Sequence, residues 1–115
     1  MSRVAVSPRR STRLGDAVSY VVALIRAAAR GRRQSVYLPK FTRMVLYVIR
    51  CMEAGRTPPG SLRELDAAVT AEKMAGRVYP NSDYVRAVAA YATRLPGVHV
   101  KKYGRGRRRF LVIEK

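Results

Sequence analysis

The chain has 115 residues, of which 24 are Lys or Arg and 7 are Asp or Glu, for a formal net charge of +17. Hydrophobic residues make up 48% of it, a globular fraction that excludes wholesale disorder, and one domain fits the length. The single Cys51 and single His99 exclude a disulfide framework and a four-ligand structural zinc site within one chain.

Nineteen of the cations are Arg and five are Lys. Arg carries a planar fork of donors that matches phosphate oxygens and guanine edges, whereas Lys acts as a point charge. Gln34 and Asn81 are the lone amides, a depletion seen in proteins from hot environments, and a GC-rich genome also favours Arg over Lys. The charge is uneven: +7 over residues 1–33, +4 over 34–100, +6 over 101–109 and zero over the last six. That is the pattern of a packed body with cationic appendages.

Residues 1–15 read as a basic arm, with Arg3, Arg9, Arg10 and Arg13 between the breakers Pro8 and Gly15. Asp16 is placed as an N-cap, opening a helix from Ala17 to about Arg30 that Gly31 ends. Val18, Val21, Val22, Leu24, Ile25 and Ala28 cover more than one face of it, so it must be buried on two sides. Either the body or a second subunit can supply the second side, and a homodimer is expected. Ala17 to Ile25 is interrupted by Ser19 and falls short of the roughly 20 residues of a membrane span. Asp16 and Arg26 argue against a secretory signal, so a soluble, cytoplasmic protein is expected.

A second helix is predicted from about Pro39 to Ala54, because Phe41, Met44, Val45, Val48, Ile49 and Met52 recur with a 3.6-residue period. The turn Thr57-Pro58-Pro59-Gly60 follows, and Ser61-Leu62-Arg63-Glu64 has capping-box spacing for a third helix reaching about Ala75. Asn81-Ser82-Asp83 caps a fourth, with Val85, Val88, Ala92 and Leu95 as its inward stripe and Pro96-Gly97 as its stop. The period then changes to 2: residues 98–103 and 107–113 read as a β-hairpin around Gly104-Arg105-Gly106, apolar at its base and cationic at its tip.

Helix, turn, helix, turn, helix and basic hairpin, over residues 38–115, resembles a winged helix-turn-helix domain of archaeal or archaeal-virus type. Ser61 to Leu65 resembles the start of the family's second helix, Val85 to Leu95 its recognition helix, and Leu95-Pro96-Gly97-Val98 the entry to the wing. The resemblance implies a mostly α fold with a C-terminal β-hairpin. A basic arm (1–15) and an N-terminal helix with a basic linker (16–34) would precede the winged-helix domain (35–115). The stretch from Val69 to Pro80 is longer than the family's usual turn, so either the second helix is extended or the geometry differs.

By that resemblance the fourth helix lies in a major groove, with Ser82, Asp83 and Arg86 facing bases and Thr93 and Arg94 near phosphates. Lys101, Lys102, Arg105, Arg107, Arg108 and Arg109 form the wing. So many like charges without an acid imply a polyanion, the alternative being a solubilising charge run. Gly104-Arg105-Gly106-Arg107 resembles a minor-groove hook, and Ser7-Pro8-Arg9-Arg10 resembles the Ser-Pro-basic-basic units of histone tails, with Arg13 further along the arm. Tyr103 is read as bracing the hairpin. The seven tyrosines show no paired aromatics on one strand face, which argues against recognition of single strands by stacking.

No catalytic constellation assembles. Glu64 and Asp66 point apart on a helix, His99 stands alone on a strand, Cys51 belongs to an apolar helix, and no Walker-type loop or dinucleotide fingerprint is present. The expectation is a double-stranded DNA-binding regulator or architectural factor, nucleoid-associated, needing no cofactor. The alternatives are an RNA-binding ribosomal or ribonucleoprotein component and a viral nucleoprotein that coats DNA.

Overall fold

The computed structural model describes residues 9–76 and 80–114. Its first helix, α1 (Arg9–Ala29), starts earlier than the capping signal at Asp16 suggests. Leu14 packs on the core one turn before Val18, so the apolar stripe runs back through Gly15. Gly15 faces the Tyr91 ring, where a Cβ would stand 3.6 Å from it. Asp16 is therefore an exposed mid-helix residue and not a cap, and only residues 1–8 of the expected arm lie outside the described residues. Arg30 and Gly31 end the helix with left-handed backbone, at φ 53° and 83°.

α1 buries Ala17, Val18, Val21, Val22, Ile25 and Ala29 within its own chain, against α2 (Leu38–Glu53), α3 (Leu62–Met74) and α4 (Ser82–Ala92). Its solvent side is Ser19, Ala23, Ala27 and Ala28, too small to need cover. The two-sided burial is met inside one subunit, and the argument for a homodimer loses its premise.

α2 follows the predicted register: Phe41, Met44, Val45, Val48 and Ile49 are buried, with Pro39 in the first turn. Tyr20 of α1 donates a hydrogen bond to the Pro59 carbonyl at 2.7 Å, tying the Pro-rich turn to the first helix. Ser61 caps α3 by accepting from the Glu64 N–H at 3.2 Å, and Asn81 caps α4 by accepting from the Tyr84 N–H at 2.8 Å. α3 runs to Met74, which answers the question of the long stretch before Pro80: the helix is extended. Residues 75–81 still join α3 to α4, and these two helices pack chiefly on α1 and α2.

Three strands form one antiparallel sheet in the order β1-β3-β2: β1 (Gln34–Tyr37), β2 (Val98–Tyr103) and β3 (Arg108–Ile113). The hairpin lies where the alternation predicted it. β1 was not expected, since four residues inside a basic linker carry too little pattern, and it exists by pairing Gln34 with Ile113 through Tyr37 with Phe110. Among the described residues the architecture is thus four helices and a small sheet whose Leu111, Ile113 and Val98 join the helical core. Among the described residues no helix is long and apolar enough to cross a membrane.

Ile25→Ala should cost about 2–5 kcal/mol, the range for emptying a buried Ile site. Urea unfolding checks it, and the midpoint should not move with protein concentration. A midpoint that rises with concentration would place part of this burial in a second subunit.

Candidate nucleic-acid interface

Alternation along the hairpin divides its residues into two faces. Val98 and Val100 of β2 face Ile113 and Leu111 of β3 in register, and this apolar end enters the core. Burial fades toward the turn: Lys101, Lys102, Tyr103, Arg105, Arg107 and Arg108 are exposed and Arg109 is half-buried. The core thus grips one end of a stiff ribbon and holds the other in solvent.

The turn itself is strained at one residue. Gly104 (φ 75°) supplies left-handed backbone freely, but Arg107 (φ 51°) adopts it with a Cβ, at a cost of about 1–2 kcal/mol. The Arg107 N–H donates to the Gly104 carbonyl at 3.2 Å and closes the turn. Two further like charges, Lys102 and Arg109, stand directly opposite in register, an arrangement that opposes pairing.

Acidic side chains do nothing to relieve this. Glu53 pairs with Arg13 at 3.2 Å, Asp66 with Lys40 at 2.9 Å, Glu72 with Arg50, and Glu114 with Arg33 at 3.4 Å and with His99 at 3.8 Å. Asp83 lies 4.0 Å from Arg86. Among the described residues none of Lys101, Lys102, Arg105, Arg107, Arg108 and Arg109 has a carboxylate partner. Five of the seven acids are thus engaged outside the wing, and the hairpin tip carries its six cations without one.

The tip does not stand alone. A groove of about 230 Å³ is lined by Gly106, Arg107, Arg108 and Arg109, by Tyr37, Leu38 and Pro39 at the β1–α2 junction, and by Val85 of α4. Ser82, three residues before Val85, lies on the same face of α4, whereas Arg86 is turned about 100° from Val85 and does not line the groove. Arg86 is exposed, and its pairing with Asp83 is weak enough to exchange.

The other predicted residues are elsewhere. Arg94 lies over the Tyr91 ring, 4.6 Å from its centroid, past the far end of α4. Thr93 donates its hydroxyl to the Ala89 carbonyl at 2.9 Å. Arg13 is held by Glu53. Arg9 and Arg10 form the first residues of α1, but their side chains lie outside the described residues, as does all of Ser7-Pro8.

Sequence reasoning missed a cluster of aromatics. Phe110 of β3 lies between Tyr37 of β1, at 5.4 Å between ring centroids, and Tyr103 of β2, at 5.5 Å. Tyr103 does brace the hairpin, edge-on to Phe110, but the reading that no aromatics pair on a strand face is overturned. The three come from separate strands, and the first of those strands left no clear signal in the sequence. No family model matches the chain, and neither a curated protein nor a solved structure matches it.

Arg107→Gly should raise stability by about 0.5–1 kcal/mol, the left-handed strain less the added chain entropy of glycine. Chemical denaturation measures it, and a loss of stability would contradict strain at this turn.

Proposed function

We propose that the chain is a nucleic-acid-binding protein whose principal ligand is double-stranded DNA, gripped by the β2–β3 wing with the first half of α4 beside it. One observation carries the reading: six cations on a core-anchored ribbon, none with a carboxylate partner among the described residues, while five of the seven acids are engaged elsewhere. A polyanion is the ligand that relieves such a charge, by displacing its own condensed counterions. The sheet order β1-β3-β2 and the groove between wing tip and α4 support a winged-helix manner of binding.

The geometry favours an architectural factor over a sequence-reading regulator. A helix-turn-helix joins its two helices by a turn of about 3–4 residues, whereas here residues 75–81 intervene and α4 packs mainly on α1 and α2. Wing arginines reach phosphates or a minor groove, where the edge pattern is degenerate. A nucleoid-associated place in the cell follows from this reading.

Neutralising about six phosphates should give a slope near −5 for log K against log salt on duplex DNA. Replacing Arg105, Arg107, Arg108 and Arg109 together by Ala should flatten that slope by about 3–4 and weaken binding to every duplex alike. A parent slope shallower than about −2 would overturn the reading. Arg86→Ala should lower affinity by a similar factor on any duplex. A loss of about 1–3 kcal/mol confined to a preferred site would instead make the protein a regulator that reads bases from α4.

A further inference from the structure

We infer that the outer face of the sheet is a stacking platform for the unpaired bases of single-stranded nucleic acid, with Tyr37 and Tyr103 as its base-contacting side chains and Phe110 as the ring that positions them. The alternation that turns Leu111 and Ile113 inward turns Arg108, Phe110 and Val112 outward. In register with these, Tyr103, Lys101 and His99 of β2 and Tyr37 and Ser35 of β1 lie on the same outer face.

The face is graded along the strands. At its base Glu114 holds Arg33 and His99, and Val112 is buried, so that end is closed and locally neutral. At its middle the three aromatics meet. Toward the tip Lys101 lies opposite Phe110 and Arg108 lies opposite Tyr103, both exposed and without a carboxylate. Rings and cations therefore interleave on one surface, and no acid interrupts them.

Tyr37 and Tyr103 are 39% and 45% exposed, and Met74 is the sole other large apolar residue this open among the described residues. A core would have buried these rings, and a solubilising face would not have carried them. Rings that offer a π-face beside backbone-binding cations suit bases that are unstacked from a partner strand; stacking of this kind tolerates any sequence. A duplex cannot use the platform, because its bases present edges and not faces. The proposal thus stands apart from the duplex reading, although the two surfaces meet at Tyr37, which also lines the groove.

The test compares the full chain with the double variant Tyr37→Leu/Tyr103→Leu, which keeps apolar bulk and every charge. Probes are an oligodeoxythymidylate, an oligouridylate and a mixed-sequence duplex of equal length, each titrated at several salt concentrations. The parent should bind the single strands with quenching of tyrosine fluorescence, which is readable because the chain has no Trp. The double variant should bind them about ten-fold or more weakly with an unchanged salt slope, and Tyr103→Leu alone, which leaves the groove residue Tyr37 in place, should weaken single-strand binding while holding duplex within about two-fold of the parent. Tyr37→Phe/Tyr103→Phe should restore single-strand affinity, since a phenyl ring stacks as a phenol does. Which single strand loses more identifies the sugar the platform prefers. Equal single-strand affinity of parent and leucine variant overturns the proposal. An equal loss on single strand and duplex in Tyr103→Leu also overturns it, because that tyrosine would then only brace the hairpin. A parent that binds single strands through its tyrosines but ignores duplex upholds the platform and defeats the duplex reading alone.

Discussion

Strand β3 is the part of the molecule on which everything else depends. It is hydrogen-bonded along both edges, to β1 and to β2, and is therefore the one strand whose loss would dissolve the sheet. Its second half, Leu111 to Ile113, is fully buried, and its first half, Arg108 to Phe110, is not. Burial of three aliphatic side chains is worth several kcal/mol, at roughly 1.5–3 for each, and that offsets the repulsion among the cations of the same ribbon. The sheet then does not need the wing to be favourable on its own account. It needs only the base to stay in the core.

Charge segregation follows from the same division. Seven acids against 24 cations cannot neutralise the chain, so their placement decides where the positive potential lies. Pairs such as Lys40 with Asp66 and Arg50 with Glu72 bridge α2 to α3, and Glu114 closes the hairpin base through Arg33 and His99. Each exposed pair contributes little stability. Their consequence is electrostatic: they lower the positive charge of the helices and of the hairpin base, and no acid lowers that of the wing tip. Strain at Arg107 and the Lys102–Arg109 opposition lie in that same uncompensated segment.

The helices were legible because their signals are local. A 3.6-residue stripe defined α2, a Ser-x-x-Glu spacing opened α3, and Asn81 opened α4. The hairpin was legible because its period is 2 and a glycine-rich turn divides it. Two features escaped for opposite reasons. The first two turns of α1 were masked by Gly15, whose helix-breaking tendency is overridden by packing on Tyr91, a partner far away in the chain. β1 escaped because pairing, not pattern, makes a four-residue strand. With β1 went Tyr37, and so the aromatic cluster. The cationic wing needed no tertiary information to be noticed, but the groove it shares with α4 did.

The central claim is that the uncompensated wing and the adjoining half of α4 are where polyanion meets protein. Backbone amide shifts of isotopically labelled protein, followed while a short duplex is titrated in, test it most directly. The account predicts perturbations concentrated at Lys101 to Arg109 and Ser82 to Arg86, fading with added salt. Perturbations centred on the paired surfaces of α2 and α3, with the wing unmoved, would contradict it.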